Sequence, residues 1–374
     1  MIMLTMTVYP VGDADTCLLD LANGEKILID YADYHDPDQA DEKRIDLADA
    51  LRQDLRQANR DNYDVVAFTH LDDDHIHGAS TFFEFLHAQK YQGEGRIKIK
   101  TLWVPAAAIT ETKKDLCAEA RVVQAEARHR LLQGTGIRVF SRPDSLKAWL
   151  EGNGRSLDER KHLITDAGEL VPDVTTSTHG VEFFVHSPFA EHCDGDVVQR
   201  NDGALVLQAT FADAGRQTRI ILGADVPCDV LGDIVRVSRY YGNDDRLLWD
   251  VFKLPHHCSY TSLGPDQGAE ETVPIPNVAW LYEKQGQARG ILVSSSRPIP
   301  SDDKDKQPPH RQAAAYYRKQ ATRLGGEFLV TMSHPTEGAP RPIVIAIDHL
   351  GATTKKPGLS GAAFVPSVRA PRAG

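Results

Sequence analysis

Short apolar runs alternate with amphipathic stretches along most of this chain, and the alternation predicts layers of strands and helices. MLTMTVYPV and KILIDYADY are rich in β-branched and aliphatic residues and are bounded by turn signals such as ANGE, which predicts two strands. RIDLADALRQDLRQANRD then spaces Ile45, Ala48, Leu51, Leu55 and Ala58 three or four apart, the mark of an amphipathic helix with a charged outer face. YDVVAFTH is short and apolar, a buried strand, and STFFEFLHAQ resumes helical spacing beyond it. Between these last two lies LDDDHIHG, a loop of acids and histidines at a strand's C-terminal end.

Residues 106–180 follow the rhythm less well. KKDLCAEARVVQAEARHRLLQG predicts a helix, whereas the stretch from EGNGRS to TTSTHG is polar and rich in turns, so the region reads as an insertion lying over one edge of the core. The strand pattern returns with VEFFVHSP, GALVLQATF and TRIILGAD, the last two a hairpin through ADAGRQ. DVLGDIVRVSRYYG predicts a helix, LLWDVFKLPHH a strand running into a histidine pair, and HRQAAAYYRKQATRLG a helix before strands EFLVTM and PIVIAID. One domain over 1–351 is expected, with a Gly/Pro-rich flexible tail from 352 to 374.

A hydrophobic content of 41% and a charged content of 25% suit a globular chain of 374 residues. The net charge of −11 argues against broad non-specific binding to nucleic acid, which relies on neutralising phosphates. Modest basic stretches (RIKIK at 96–100, RHR at 128–130, residues 309–311 and lysines 355–356) leave a local groove open, with solvated surface charge at least as good an account. Five cysteines without a CxxC pair suit a reducing compartment. No run nears the roughly 18 apolar residues of a membrane helix, and the opening residues do not read as a secretory signal. A cytoplasmic location with no membrane partner is therefore expected.

The chemistry is concentrated at strand ends. His70, Asp72, Asp74 and His75 form H-x-D-x-D-H, and alternate residues of an extended segment face one way, so the first three can line one side of the loop. IILGAD ends an apolar strand on Asp225, and VFKLPHHCS ends one on His256 and His257. Imidazoles and carboxylates delivered to one rim are what a divalent metal centre needs. A solvated acidic loop does not explain why the acids interleave with histidines behind a buried strand. Lys253, on the strand before the histidine pair, is a candidate for contacting an anionic substrate, although lysine stems often only cover apolar surface. Cys258 reads as a small buried filler more readily than as a reactive thiol.

Taken in order, VGDADTCLL, ILIDYAD, THLDDDHIHG, NDGALVL, ILGAD, LPHHCS and ILVSSSRPIP resemble the metallo-β-lactamase superfamily, and within it the metallo-hydrolase domain of ComEC-type DNA-uptake proteins. The resemblance implies an α/β fold, a four-layer αββα sandwich, carrying two divalent ions, Zn2+ or Mn2+, on one edge. It implies one site using His70 and Asp72, and another using Asp74, His75 and one of the histidine pair, with Asp225 bridging and Asp30 supporting from behind. His256, first off its strand, is the favoured ligand, which leaves His257 as candidate proton donor. The superfamily's third histidine has no counterpart here. Asn201 and Asp202 stand near its position and are the candidates to complete the first site, whereas His186 and His192 look displaced. Substituting carboxylate for imidazole favours harder ions and raises the standing of manganese. The implied activity is a phosphodiesterase or nuclease in which a metal-bridging hydroxide attacks, with Asp74 orienting it, and in which the phosphodiester substrate is most readily DNA. Hydrolysis of another ester, amide or lactone, and a non-catalytic metal-binding role, stay open as alternatives.

Overall fold

The computed structural model describes residues 4–112, 116–194 and 199–356. Fifteen strands are found among them: β1 (Leu4–Val8), β2 (Cys17–Asp20), β3 (Lys26–Ile29), β4 (Asn62–Ala67), β5 (Lys98–Pro105), β6 (Ile137–Phe140), β7 (Ile164–Thr165), β8 (Val181–Ser187), β9 (Val206–Asp213), β10 (Arg216–Leu222), β11 (Trp249–Lys253), β12 (Gly286–Ser294), β13 (Glu327–Val330), β14 (Ile343–Asp348) and β15 (Gly351–Thr354). The longer helices are α1 (Leu47–Gln57), α2 (Ala118–Gln133), α3 (Asp144–Gly152), α4 (Cys228–Tyr240), α5 (Pro276–Lys284) and α6 (Arg311–Leu324). The strands form two sheets, in the orders β15-β14-β1-β2-β3-β4-β5-β6-β7 and β13-β12-β11-β10-β9-β8.

Side-chain alternation turns these sheets into four layers. On β3, Ile27 and Ile29 enter the core between the sheets while Leu28 packs outward against helices; on β10, Ile220 and Leu222 face inward and Ile221 outward. Both faces of each sheet are thus covered, which is why the central strands read as unbroken apolar runs. The chain is an αββα sandwich.

Some expected elements differ. The apolar stripe of α1 runs through Leu47, Leu51 and Leu55, so Ala58 is exposed and the stripe sits slightly rotated from the sequence reading. STFFEFLHAQ is helical only over Ala79–Phe82, because Phe83 leaves the helix to bridge Ile97 and Phe82, Phe83 and Phe85 are all drawn into the core. The 106–180 region adds β6 and β7 to the first sheet, so it extends the sheet where a covering insertion was expected. At the other end β15 pairs with β14 through residue 354, past the boundary drawn at 352, and the rest of the proposed tail from 357 lies outside the described residues.

Parallel pairing positions the chemistry. β3, β4 and β5 are mutually parallel, as are β10, β11 and β12, so the C-terminal ends within each set share one rim. In open α/β sheets that rim is where ligands bind.

Candidate metal centre

Asp30 follows β3, the segment 69–75 follows β4, Asp225 follows β10, the 256–257 pair follows β11 and Ser295 follows β12. Backbone hydrogen bonds tie the loops together: Asp15 N–H donates to the Asp74 carbonyl, Tyr31 N–H to that of His75 and Leu205 N–H to that of Thr69. Gly223 allows the ends of β10 and β11 to close on each other, since a Cβ there would lie 2.8 Å from the Lys253 carbonyl oxygen.

Asp74, His75, Asp225 and His257 each bring a ligand-type atom into one cluster within 4.8 Å. His75 Nδ1 donates to Asp30 Oδ2 at 2.8 Å, and His257 Nδ1 donates to the Ser295 carbonyl at 2.7 Å. Both partners only accept, so in a neutral imidazole Nε2 is left as a bare lone pair. Thr69 gives its hydroxyl proton to Asp30 Oδ2 at 2.8 Å, so at 3.1 Å it accepts from His70 Nδ1, and His70 also presents a bare Nε2. The His75 Nε2 lies 3.2 Å from Asp225 Oδ1, and the His257 Nε2 lies 3.0 Å from Asp74 Oδ2 and 3.4 Å from Asp225 Oδ2.

Acceptors therefore face acceptors. The Nε2 atoms of His70 and His75 and the Asp225 Oδ1 are buried without a hydrogen-bond partner, although native folds rarely leave such groups unsatisfied. A proton or a divalent cation would resolve the clash. The first shows in the electrostatics. Burial pushes His75 and His257 toward the neutral form, yet the Asp225 carboxylate leads a set of acids that raises both well above the usual imidazole range. Burial works against the Asp225 carboxylate as well, but His257 and His75 hold its pKa far below the usual value. The donor set of three imidazoles and the carboxylates of Asp225 and Asp74 fits a divalent ion of the zinc or manganese type.

Asp30 accepts from the Thr69 backbone and hydroxyl and from His75, and so fixes the ring that faces the cluster. The histidine pair is reversed. His257, not His256, joins the cluster, because His256, His257 and Cys258 all take left-handed backbone angles (φ of 51°, 52° and 66°) that swing the second ring inward. Such a turn costs about 1–2 kcal/mol per residue. It is held by His256 N–H to the Ala224 carbonyl, His310 N–H to the Cys258 carbonyl and the His257–Ser295 bond. Cys258 is fully buried, and burial raises its thiol pKa, as suits a filler.

His256 instead lines an open cleft of about 430 Å3 with Asp72, Arg200, Asn201, Asp202 and Thr261. Asn201 and Asp202 thus stand beside Asp72 on the cleft wall, outside the four-residue cluster, and the Asn201 Oδ1 is buried without a partner. His70 reaches Asp72 at 3.6 Å. Lys253 is not available to a substrate: its side chain is 4% exposed and its ammonium is paired with Asp15, itself 3% exposed. His186 is turned to the Arg246 carbonyl, away from the centre.

Sequence reading missed Arg200, Glu111 and Asp15. Arg200 joins Glu111 to Asp72, and nothing in the local sequence links residues so far apart. Asp15 had a signal in VGDADTCLL but no visible partner until Lys253 was placed beside it. Several side chains of the basic stretches have partners away from the cluster. Arg130 is buried against Glu126 and the Ile99 and Gly136 carbonyls, Arg96 binds the Ser80 and Phe83 carbonyls, Lys98 pairs with Asp61 and Arg311 with Asp303. RIKIK also enters β5 at the end opposite the rim. No helix among the described residues is long and apolar enough to cross a membrane.

No family model and no curated protein matches this sequence. Among solved structures, it is similar to unliganded yeast PDE1 at 14% identity and a TM-score of 0.44, covering 88% of this chain and 97% of that one. A diphosphatase of the PhnP family is 11% identical with a TM-score of 0.33, over 82% and 92% of the two chains. The metallo-β-lactamase SMB-1 bound to 2-mercaptoethanesulfonate is 12% identical with a TM-score of 0.30, over 67% and 78%.

Proposed function

We propose that this protein is a metal-dependent hydrolase of phosphoesters, a phosphodiesterase by preference, with its centre at the rim of the two sheets. One observation carries the reading: imidazole nitrogens and carboxylate oxygens converge in a buried cluster that contains no lysine or arginine, and several of those atoms have no hydrogen-bond partner. His70, His75, His257, Asp74 and Asp225 would hold Zn2+ or Mn2+, with Asp72 reaching the outer edge of the same centre. A divalent ion there supplies Lewis acidity, stabilising charge on the phosphoryl oxygens and making water a nucleophile at neutral pH.

The chain's own residues do the rest. Asp30 and the Ser295 carbonyl hold two imidazoles in the tautomer that points Nε2 at the cluster. Asp225, between His75 and His257, orders both rings from one carboxylate. His256, on the cleft wall beside Thr261, takes the proton-donor role in place of His257. DNA is the substrate suggested by the ComEC-type motifs, but no basic stretch lines the cleft, so a small phosphodiester is our first choice.

The test is metal content together with turnover of a bis-aryl phosphodiester, a dinucleotide, linear DNA and a lactone panel. We expect at least one ion per chain and activity on the diesters. Less than one ion per chain would refute the centre, and a preference for lactones would move the activity to another ester. His256→Gln should slow substrates with poor leaving groups by about 100-fold while sparing those that leave without a proton. An equal loss on both would remove that role.

A further inference from the structure

Arg200 stands at the outer half of the centre. Its Nε pairs with both carboxylate oxygens of Glu111 at 3.0 and 3.1 Å and its Nη2 with Oε1 at 2.9 Å, while its Nη1 donates to Asp72 Oδ1 at 2.8 Å. Glu111 is buried, so it grips one edge of the guanidinium and leaves another aimed at Asp72. Planar arginine is suited to such a two-armed bridge, and lysine is not. Asp72 therefore already holds a cation. The inner cluster of Asp74, His75, Asp225 and His257 contains no lysine or arginine, and Lys253 nearby is committed to Asp15.

We propose that Arg200 is a positioning residue that makes the two halves of the metal centre unequal. One ion binds tightly at Asp74, His75, Asp225 and His257. A second ion, at His70 and Asp72, enters only by drawing the Asp72 carboxylate away from Arg200. Occupancy of the outer half is then set by competition between a guanidinium anchored on Glu111 and a divalent ion from solution, so the protein carries one ion when metal is scarce and two when it is abundant. The inference rests on the metal-centre reading above and adds the order of loading.

Titrating the chelator-stripped full chain with Co2+ or Mn2+, followed by calorimetry and by Co2+ absorption, tests it without recourse to turnover. The wild type should show one tight step and one weaker step. Arg200→Gln combined with Glu111→Gln removes both charges together, so the buried Glu111 carboxylate is not stranded. That variant should tighten the second step by roughly 10- to 100-fold, the range for residues that touch a metal ligand, and leave the first unchanged. Arg200→Lys keeps a cation for Glu111 but gives up the second arm, and it should shift the same step in the same direction if the double variant fails to fold. Two equal steps in the wild type, or an unchanged second step in folded variants, would overturn the loading order and leave the metal centre standing. No binding at all by the wild type would refute the centre itself.

Discussion

The inner and outer halves of the centre share a rim but solve opposite problems. In the inner half, Asp225, His75 and His257 are buried and aimed at one another with no lysine or arginine among them. In the outer half, the side chain of Asp72 is 33% exposed and already bridged to Arg200. Burial raises the electrostatic stakes, because a charge that water cannot reach must find its partner inside the fold. The difference teaches that residues of the same types on one rim meet very different surroundings, buried in one half and open to water in the other.

Removing the core of the inner half should have the largest effect. Asp225→Asn is expected to abolish the tight ion and cut turnover by more than about 100-fold, beyond the range of supporting residues. Metal analysis and kinetics on the folded variant check this, and retention of a tight ion would erase the distinction between the halves. The next effect concerns the floor beneath the inner half. Lys253→Met strands the buried Asp15 carboxylate and should destabilise the fold by about 3–5 kcal/mol in urea unfolding. Adding Asp15→Leu should recover much of that loss, and no recovery would mean that Lys253 acts by packing alone.

Asp30→Asn should be milder. It keeps shape but replaces one of the two accepting oxygens by an amide nitrogen, which disturbs the acceptor behind His75, so metal affinity should fall by about 10- to 100-fold. A similar fall in the second, weaker step would show that Asp30 serves both halves. The last effect lies outside both and grows only with acidification. Burial lowers the His186 pKa from 6.5 to about 4, with the Arg246 carbonyl opposing the shift. The unfolded chain thus takes up a proton that the folded chain refuses, and this residue's share of stability is complete above 6.5 and drains away toward pH 4. A His186→Gln variant should lose less stability on acidification than the wild type, by about 1.4 kcal/mol for each pH unit in that window. Identical acid unfolding curves would assign the acid response to the centre.

Much of the fold was legible because burial on both faces writes apolar runs into the chain. YDVVAFTH, TRIILGAD and LLWDVFKLPHH all proved to be core strands, and each ends in residues that reach the rim. The true length of the helix at STFFEFLHAQ was not legible, since packing of phenylalanines and a bridge to Ile97 outweighed local spacing. That His70, Asp74, His75, Asp225 and Asp30 arrive just beyond strand ends was readable from the sequence. The choice between His256 and His257 was not, because it depends on three left-handed residues held by bonds to Ala224, Ser295 and His310.

By itself, then, the sequence determined which residue types arrive at the ends of which strands, since a strand's period and its apolar content are local properties. Only the tertiary structure decided which of those residues meet, which nitrogen each imidazole presents, and that Lys253 and Arg200 are committed to Asp15 and to Glu111 with Asp72. Those outcomes join positions far apart in the chain, and their energies come from burial and from partners that exist only once both sheets have closed on each other.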